Sequence, residues 1–314
     1  MVVVAVAGGT GAVGRSIVEA LVSQAKHEVI VLSRTKADAA KEKELGTRFV
    51  ATDYKDVAAL TKILEDNNVH TVISALVMMP NAGGPLEPNL IRAADASRTT
   101  RRMVPSEFGV PQREEDGKIF PSIPMKHISL RILEASKDLE WTLFYNGYFM
   151  DYFGMPKLPS YLNPFVIFMD IPGNMAAIPG DGNTPVTFTH TSDVGKFVAA
   201  SLDLEKWDRV SAIIGDKMTI NEAVKLAEEA KGTKFKVVYD DLDKLKRGEA
   251  TELPSQTPLY SVLPKEVIQA ITSIFGVCAD RGDLDLDEDV SLNKKLPELR
   301  TIKLKEFLEK AWKN

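Results

Sequence analysis

Cysteine is almost missing from this chain of 314 residues. Cys278 stands alone, so no internal disulfide can form, and a reducing, cytoplasmic setting is the expectation. Histidine is scarce as well. His27, His70, His127 and His190 lie far apart, none near another His, Cys or carboxylate at metal-ligand spacing, so no metal site is expected. No apolar run is long enough to span a bilayer. The apolar start MVVVAVAGGTG is short and lacks a basic lead, so neither a membrane anchor nor a signal peptide is expected. Basic charge is not in excess: the net charge is −5, which argues against a nucleic-acid partner. Internal repeats and low-complexity tails are also lacking. What is there is an ordinary globular composition, 44% hydrophobic and 26% charged, with length for one large domain or two smaller ones.

Val2 to Ala7 is a continuous apolar, β-branched run, the pattern of a strand buried on both faces. It runs into Gly8-Gly9-Thr10-Gly11-Ala12-Val13-Gly14 and then an amphipathic helix from Arg15 to Ser23. In a G-x-x-G-x-x-G turn, Gly8 lets the chain leave the strand sharply. Gly11 lets backbone approach a pyrophosphate, and Gly14 lets helix and strand pack closely. The dipole and free N–H groups at the helix start favour phosphate. Glu28 to Leu32 reads as the second strand, and Ser33-Arg34-Thr35-Lys36 follows it with no acid to bind a ribose 2′-hydroxyl. A guanidinium there grips a 2′-phosphate instead, which predicts NADP(H) over NAD(H). The plainer reading makes Arg34 and Lys36 solvated charges at a helix start.

Strand and helix patterns go on alternating through Arg48–Thr52, Val57–Leu64 and Val69–Ala75. This predicts an α/β fold of Rossmann type, a doubly wound parallel sheet with ligands at the carboxyl ends of its strands. Asp53 and Tyr54 fall where a strand end meets adenine; Ala75 and Leu76, after Ser74, fall under ribose and pyrophosphate. The expected cofactor domain covers residues 1–155 and is rejoined by about 186–215, through strands at Val186–Phe188 and Val210–Ile214. The remaining segments of 156–314 form a smaller α/β lobe for substrate.

A fifth strand, Thr100 to Val104, ends in Pro105-Ser106-Glu107-Phe108-Gly109. After a polar loop comes a helix with Lys126. Met125, Ile128, Ile132, Ala135 and Leu139 read as its buried stripe, which sets Lys126 about 100° away from it. Many short-chain reductases carry Tyr-x-x-x-Lys on such a helix; here SIPMK has Ser122 in place of the tyrosine. Glu107 reads as a loop anchor, His127 as an exposed helix residue, and Thr191 as the N-cap of a helix after His190. Asn146, Tyr148 and Phe149 follow the next strand, and Met150 to Met175 is an aromatic, proline-rich stretch suited to walling an apolar ligand. The acidic run from Asp280 to Asp289 lacks the EF-hand pattern and reads as a solvated loop. Cys278, in IFGVCAD, reads as packing.

GGTGAVG, VPSEFG, the helix MKHISLRILEA with Lys126 and Arg131, NGYF, and the pairing of Gly180-Asp181-Gly182 with Asp193-Val194-Gly195 together resemble the isoflavone reductase-like group within the NmrA-like family of atypical short-chain dehydrogenases. The resemblance covers most of the chain. One residue more than in the family's K-x-x-x-R separates Lys126 from Arg131. The resemblance implies an NADP-dependent oxidoreductase of a small, apolar, aromatic or polyketide-like substrate, in secondary metabolism, as monomer or homodimer. It implies that Lys126 holds the nicotinamide ribose and donates the proton. Phe108, Tyr148, Phe149 and Tyr152 would meet substrate; Gly8, Thr10, Gly11, Ala12, Val13, Gly14, Ser33, Arg34, Lys36, Asp53, Tyr54, Ala75, Leu76, Lys126 and Asn146 would meet cofactor. Two alternatives stay open: a non-catalytic NADP(H) sensor, and a redox-neutral isomerase or dehydratase.

Overall fold

The computed structural model describes residues 1–36, 39–79, 85–118, 120 and 122–313. The first half runs β1 (Val3–Ala7), α1 (Ala12–Gln24), β2 (Glu28–Ser33), α2 (Ala39–Leu45), β3 (Arg48–Ala51), α3 (Val57–Asp66), β4 (Val69–Ser74), α4 (Leu86–Ala96), β5 (Arg102–Val104), α5 (Ser122–Ala135), β6 (Glu140–Trp141) and β7 (Leu143–Tyr145). Six strands form a parallel sheet in the order β3-β2-β1-β4-β5-β6. The order reverses between β1 and β4, and that crevice is where a doubly wound sheet takes its ligand. The α/β class with a Rossmann-type parallel sheet therefore stands.

Burial along β1 follows the period of two that a strand imposes. Val4 and Val6 pack with Ile17, Leu21 and Phe197 on one face. Ala5 and Ala7 pack with Leu60, Leu64, Leu90 and Ile91 on the other. The sheet is thus covered on both sides, as its near-continuous apolar strands require.

The second half runs β8 (Tyr148–Phe149), α6 (Asp151–Gly154), β9 (Met169–Asp170), β10 (Met175–Pro179), β11 (Pro185–Thr189), α7 (Thr191–Ser201), β12 (Val210–Ala212), β13 (Asp216–Thr219), α8 (Ile220–Lys231), β14 (Lys236–Asp240), α9 (Leu242–Lys246), α10 (Lys265–Asp280), α11 (Leu292–Lys295) and α12 (Leu304–Trp312). Neither expected strand pairs with the six-stranded sheet: β12 pairs in parallel with β7 in a sheet of two, and β11 sits between β8 and β13 in a sheet of three. A further sheet, β14-β10-β9, and helices α8, α10 and α12 enclose a core built on Tyr148, Phe153, Phe168, Phe188 and Trp312.

Local signals held at some ends and failed at others. Thr219 caps α8 in a reciprocal pair with Glu222, and Gly232 closes it at φ 67°. The cap of α7 is His190 rather than Thr191: the ring Nδ1 accepts from the Ser192 N–H. Thr191 instead donates its N–H and hydroxyl to buried Asp151. The acidic run near 280–289 is not simply solvated. Leu284 and Leu286 are buried within it, Asp283 pairs with Arg113 and Arg281, and Asp285 pairs with Lys217.

Candidate active site

The turn between β1 and α1 divides its glycines by purpose. A Cβ on Gly14 would lie 2.3 Å from the Gly8 carbonyl oxygen. One on Gly8, whose φ is +77°, would lie 2.5 Å from the Ala75 carbonyl oxygen. These two let β1, β4 and α1 converge. Gly11 differs: a Cβ there would meet nothing within 4 Å. No side chain caps α1 at Gly11, so the first-turn N–H groups are left for another acceptor. A dinucleotide phosphate fits this arrangement of open backbone beside a 13-residue helix.

The other expected cofactor positions sort by exposure. Arg34, Lys36 and Asp53 are exposed beyond β2 and β3, and Ser33, Ala75 and Leu76 are half-buried at strand ends. Thr10 is exposed and Val13 buried. Tyr54 departs from its expected part. Its ring is in the core and its hydroxyl donates to the Leu32 carbonyl, so only its backbone stands at the strand tip. Asn146 is fully buried as well; its amide donates to the Gly147 carbonyl, and its Oδ1 has no partner among the described residues.

Helix α5 corrects the expected phase. Its buried residues are Ile123, Ser129 and Leu133, while Ala135 is exposed and Met125 and Ile128 only half-buried. Lys126, three residues after Ile123 and three before Ser129, therefore lies on the inward face. Polar residues occupy that face, so the apolar periodicity marked a neighbouring one. The Lys126 ammonium Nζ stands 3.4 Å from Glu107 Oε2, with the lysine side chain 15% exposed and the glutamate 9%. Burial pushes the Glu107 carboxyl above the ordinary glutamate range, and the Lys126 charge pulls it back. Glu107 is thus an ion-pair partner of Lys126 as well as a loop residue. His127 is half-buried rather than exposed; Nδ1 lies 4.0 Å from Glu114 Oε1.

Sequence reasoning passed over Glu87. It is buried completely in the first turn of α4, and its Oε2 accepts from the Ser106 N–H at 2.7 Å. Ser106 in turn donates its hydroxyl to the Leu76 carbonyl. Burial raises the Glu87 carboxyl, and the neighbouring Ser74, Ser106 and Ser129 counter it. In the sequence LEPNL this residue looks like any acid at a helix start.

One cavity of about 850 Å³ joins these parts. Ala12 of the glycine turn and Lys126 of α5 both line it. Phe108, Tyr148, Phe149 and Tyr152, the four expected substrate contacts, are on its wall. The Tyr148 ring packs within 5.5 Å of Tyr152 and 5.2 Å of Phe168, and burial pushes the Tyr152 phenol up to about 12. From the last third come Leu259, Leu263, Ile271, Phe275 and Cys278. Their apolar character is readable in the sequence, but which side of α10 meets the cavity is not. Asp116 belongs to the same wall and is tied to Arg281 at 2.6 Å. No helix among the described residues is long and apolar enough to cross a membrane.

Comparison with known proteins agrees with this architecture. The chain is 40% identical over 266 residues to the oxidoreductase BOA1 of Botryotinia fuckeliana (strain B05.10), which covers 85% of this chain and 86% of that one. The structure of leucoanthocyanidin reductase with NADPH from Vitis vinifera is similar at a TM-score of 0.73 and 20% identity, over 98% of both chains. AtPrR2 with NADP+ and (+)pinoresinol is similar at 0.74 and 22%, over 98% of both. The fold is that of NADP(H)-binding reductases, and the expected oxidoreductase class stands with it. The profile of the NmrA-like family matches residues 2–308, and the chain belongs to that family.

Proposed function

We propose that this protein is an NADPH-dependent reductase of a small, largely apolar molecule, aromatic or polyketide-like. What carries the reading is a cavity reached by the glycine turn at Ala12 and by Lys126, and walled elsewhere mainly by aromatic and aliphatic side chains. A sensor of cofactor state has no need of an apolar chamber beside its lysine. The names of the similar reductases, one in complex with pinoresinol, point the same way.

NADPH supplies a hydride when bound. Gly11 and the start of α1 hold the pyrophosphate, and Arg34 and Lys36 bind the 2′-phosphate beyond β2. Lys126 holds the ribose. As charge develops on the substrate, the Lys126 ammonium gives it a proton, at a carbonyl, an activated double bond or the leaving oxygen of a benzylic ether. Phe108, Phe149 and Tyr152 place the substrate and keep water out.

The test is NADPH consumption by wild type and Lys126→Ala, at saturating cofactor, over aryl enones, isoflavone-like compounds and benzylic ethers. The expected result is a fall of at least about 100-fold in turnover with cofactor still bound. Undiminished turnover in the variant reduces Lys126 to a clamp. Absence of turnover in the wild type, despite tight NADPH binding, favours the sensor or the redox-neutral enzyme.

A further inference from the structure

Lys126 and Gln112, which line the large cavity, also line a second and much smaller one of about 30 Å³. That is room for one water. Glu107, Lys126, His127, Ser129 and Tyr145 line it. One of its polar atoms, His127 Nε2, is buried and finds no hydrogen-bond partner among the described residues, whereas the Ser129 hydroxyl bears on Glu87. Buried polar groups of this kind are satisfied by ordered water. On its other side His127 approaches Glu114, a residue 74% exposed that also meets Arg131.

We infer that Glu107, one water in this small cavity, and His127 form a relay that returns a proton from solvent to Lys126 after each turnover. The inference rests on the proposed reductase reading, in which Lys126 donates a proton. Once it has done so, Nζ is a neutral amine facing the buried Glu107 carboxyl. The ammonium that held that carboxyl down is gone, so the carboxylate takes a proton from the water. The water takes one from the His127 imidazolium Nε2–H, which leaves the Nδ1–H tautomer; the ring turns over, takes a solvent proton at the bare Nε2 on the Glu114 side, and turns back. The carboxyl O–H then breaks as the Lys126 N–H forms. One proton enters from solvent for each hydride delivered by NADPH, and every relay group ends as it began. Glu107 and His127 act through Lys126 and are positioning residues.

The charged groups that bear on this path are few. Glu107 feels Lys126 and His127, raises Tyr145 and adds to the rise at Glu87. His127 is met by Glu114 and Glu107.

Two measurements test the relay. The first is stopped-flow NADPH oxidation by His127→Ala and by His127→Gln, which fills the same space without titrating. Both should complete a first turnover at the wild-type rate, because Lys126 starts protonated, and then slow at least about tenfold in steady state. Added imidazole should restore the Ala variant. A first turnover slowed as much as the rest indicates a structural role and overturns the relay, as does an unchanged steady state in both variants. The second needs no substrate: the His127 ring nitrogens are followed by 15N NMR in wild type and Glu107→Gln. The Nε2 signal should move when the carboxyl across the small cavity becomes an amide. An unmoved Nε2 signal overturns the inference. If the wild type turns over nothing, the reductase reading fails by itself and this spectrum still decides whether Glu107 and His127 are coupled.

Discussion

The glycine turn after β1 and the helix α5 border one cavity but are built on opposite principles. The turn works through missing atoms. Gly8 and Gly14 have no side chain because backbone carbonyls lie 2.5 and 2.3 Å from where a Cβ would be. Helix α5 works through a side chain placed where a helix ordinarily buries carbon: Lys126 points inward, against Glu107. A steric device of the first kind tolerates almost no change and needs no partner. A buried charge tolerates change only if its partner changes too.

The largest effect should come from breaking the turn. Gly14→Val drives carbon into the Gly8 carbonyl, and we expect a loss of about 3 kcal/mol in urea unfolding together with loss of NADPH binding. Gly11→Ala is the sharper experiment. Its φ of −118° suits alanine and the space is open. Stability should stay within about 0.5 kcal/mol of wild type, while NADPH affinity, read by fluorescence, drops at least about tenfold. Equal destabilisation by the two variants would mean that the turn is all architecture and that no ligand uses Gly11.

A smaller effect is expected below the α5 side of the cavity. Burial holds the Glu87 carboxyl above its ordinary value near 4.5. The folded state therefore keeps that proton to higher pH than the unfolded chain does. This contribution to stability is complete at low pH and is lost as pH rises through the folded value. Glu87→Gln removes the titration and retains an oxygen for the Ser106 N–H. Its urea midpoint should gain on the wild type between pH 5 and pH 8; a constant gap would mean that Glu87 titrates normally. The least effect belongs to Cys278. Burial pushes its thiol up to about 12, so little thiolate exists at neutral pH. Turnover should survive iodoacetamide at pH 7.5, with mass spectrometry showing the thiol largely unlabelled.

The same contrast explains what the sequence made legible. Val2 to Gly14 announces strand, turn and helix, because backbone sterics leave glycine spacing few alternatives. The alternation that follows predicts the parallel sheet, and the order of its strands then places the crevice. Apolar periodicity misphases helix α5 because Lys126 and Ser129 occupy inward positions that it assigns to carbon. Tyr54 illustrates the reverse error: a residue at the correct strand tip turns its ring into the core, with φ at 62°. β11 lies outside the main sheet, and a short strand of alternating Val, Thr and Phe does not state its neighbours. Glu87 had no signal, since burial of an acid at a helix start is decided by what packs over it.

Arg113 and Asp283 are joined at 2.7 Å although 170 positions apart, and Arg281 reaches back to Asp116 across 165. This side of the cavity, at Asp116, is thus fastened by parts of the chain 165 to 170 positions apart. A closure of that span is slow to find compared with the neighbouring parallel strands. We expect the chamber to close late in folding. In refolding, secondary structure should return before the ability to hold an apolar ligand, and the interval between them measures how long the chain searches for its final ion pairs.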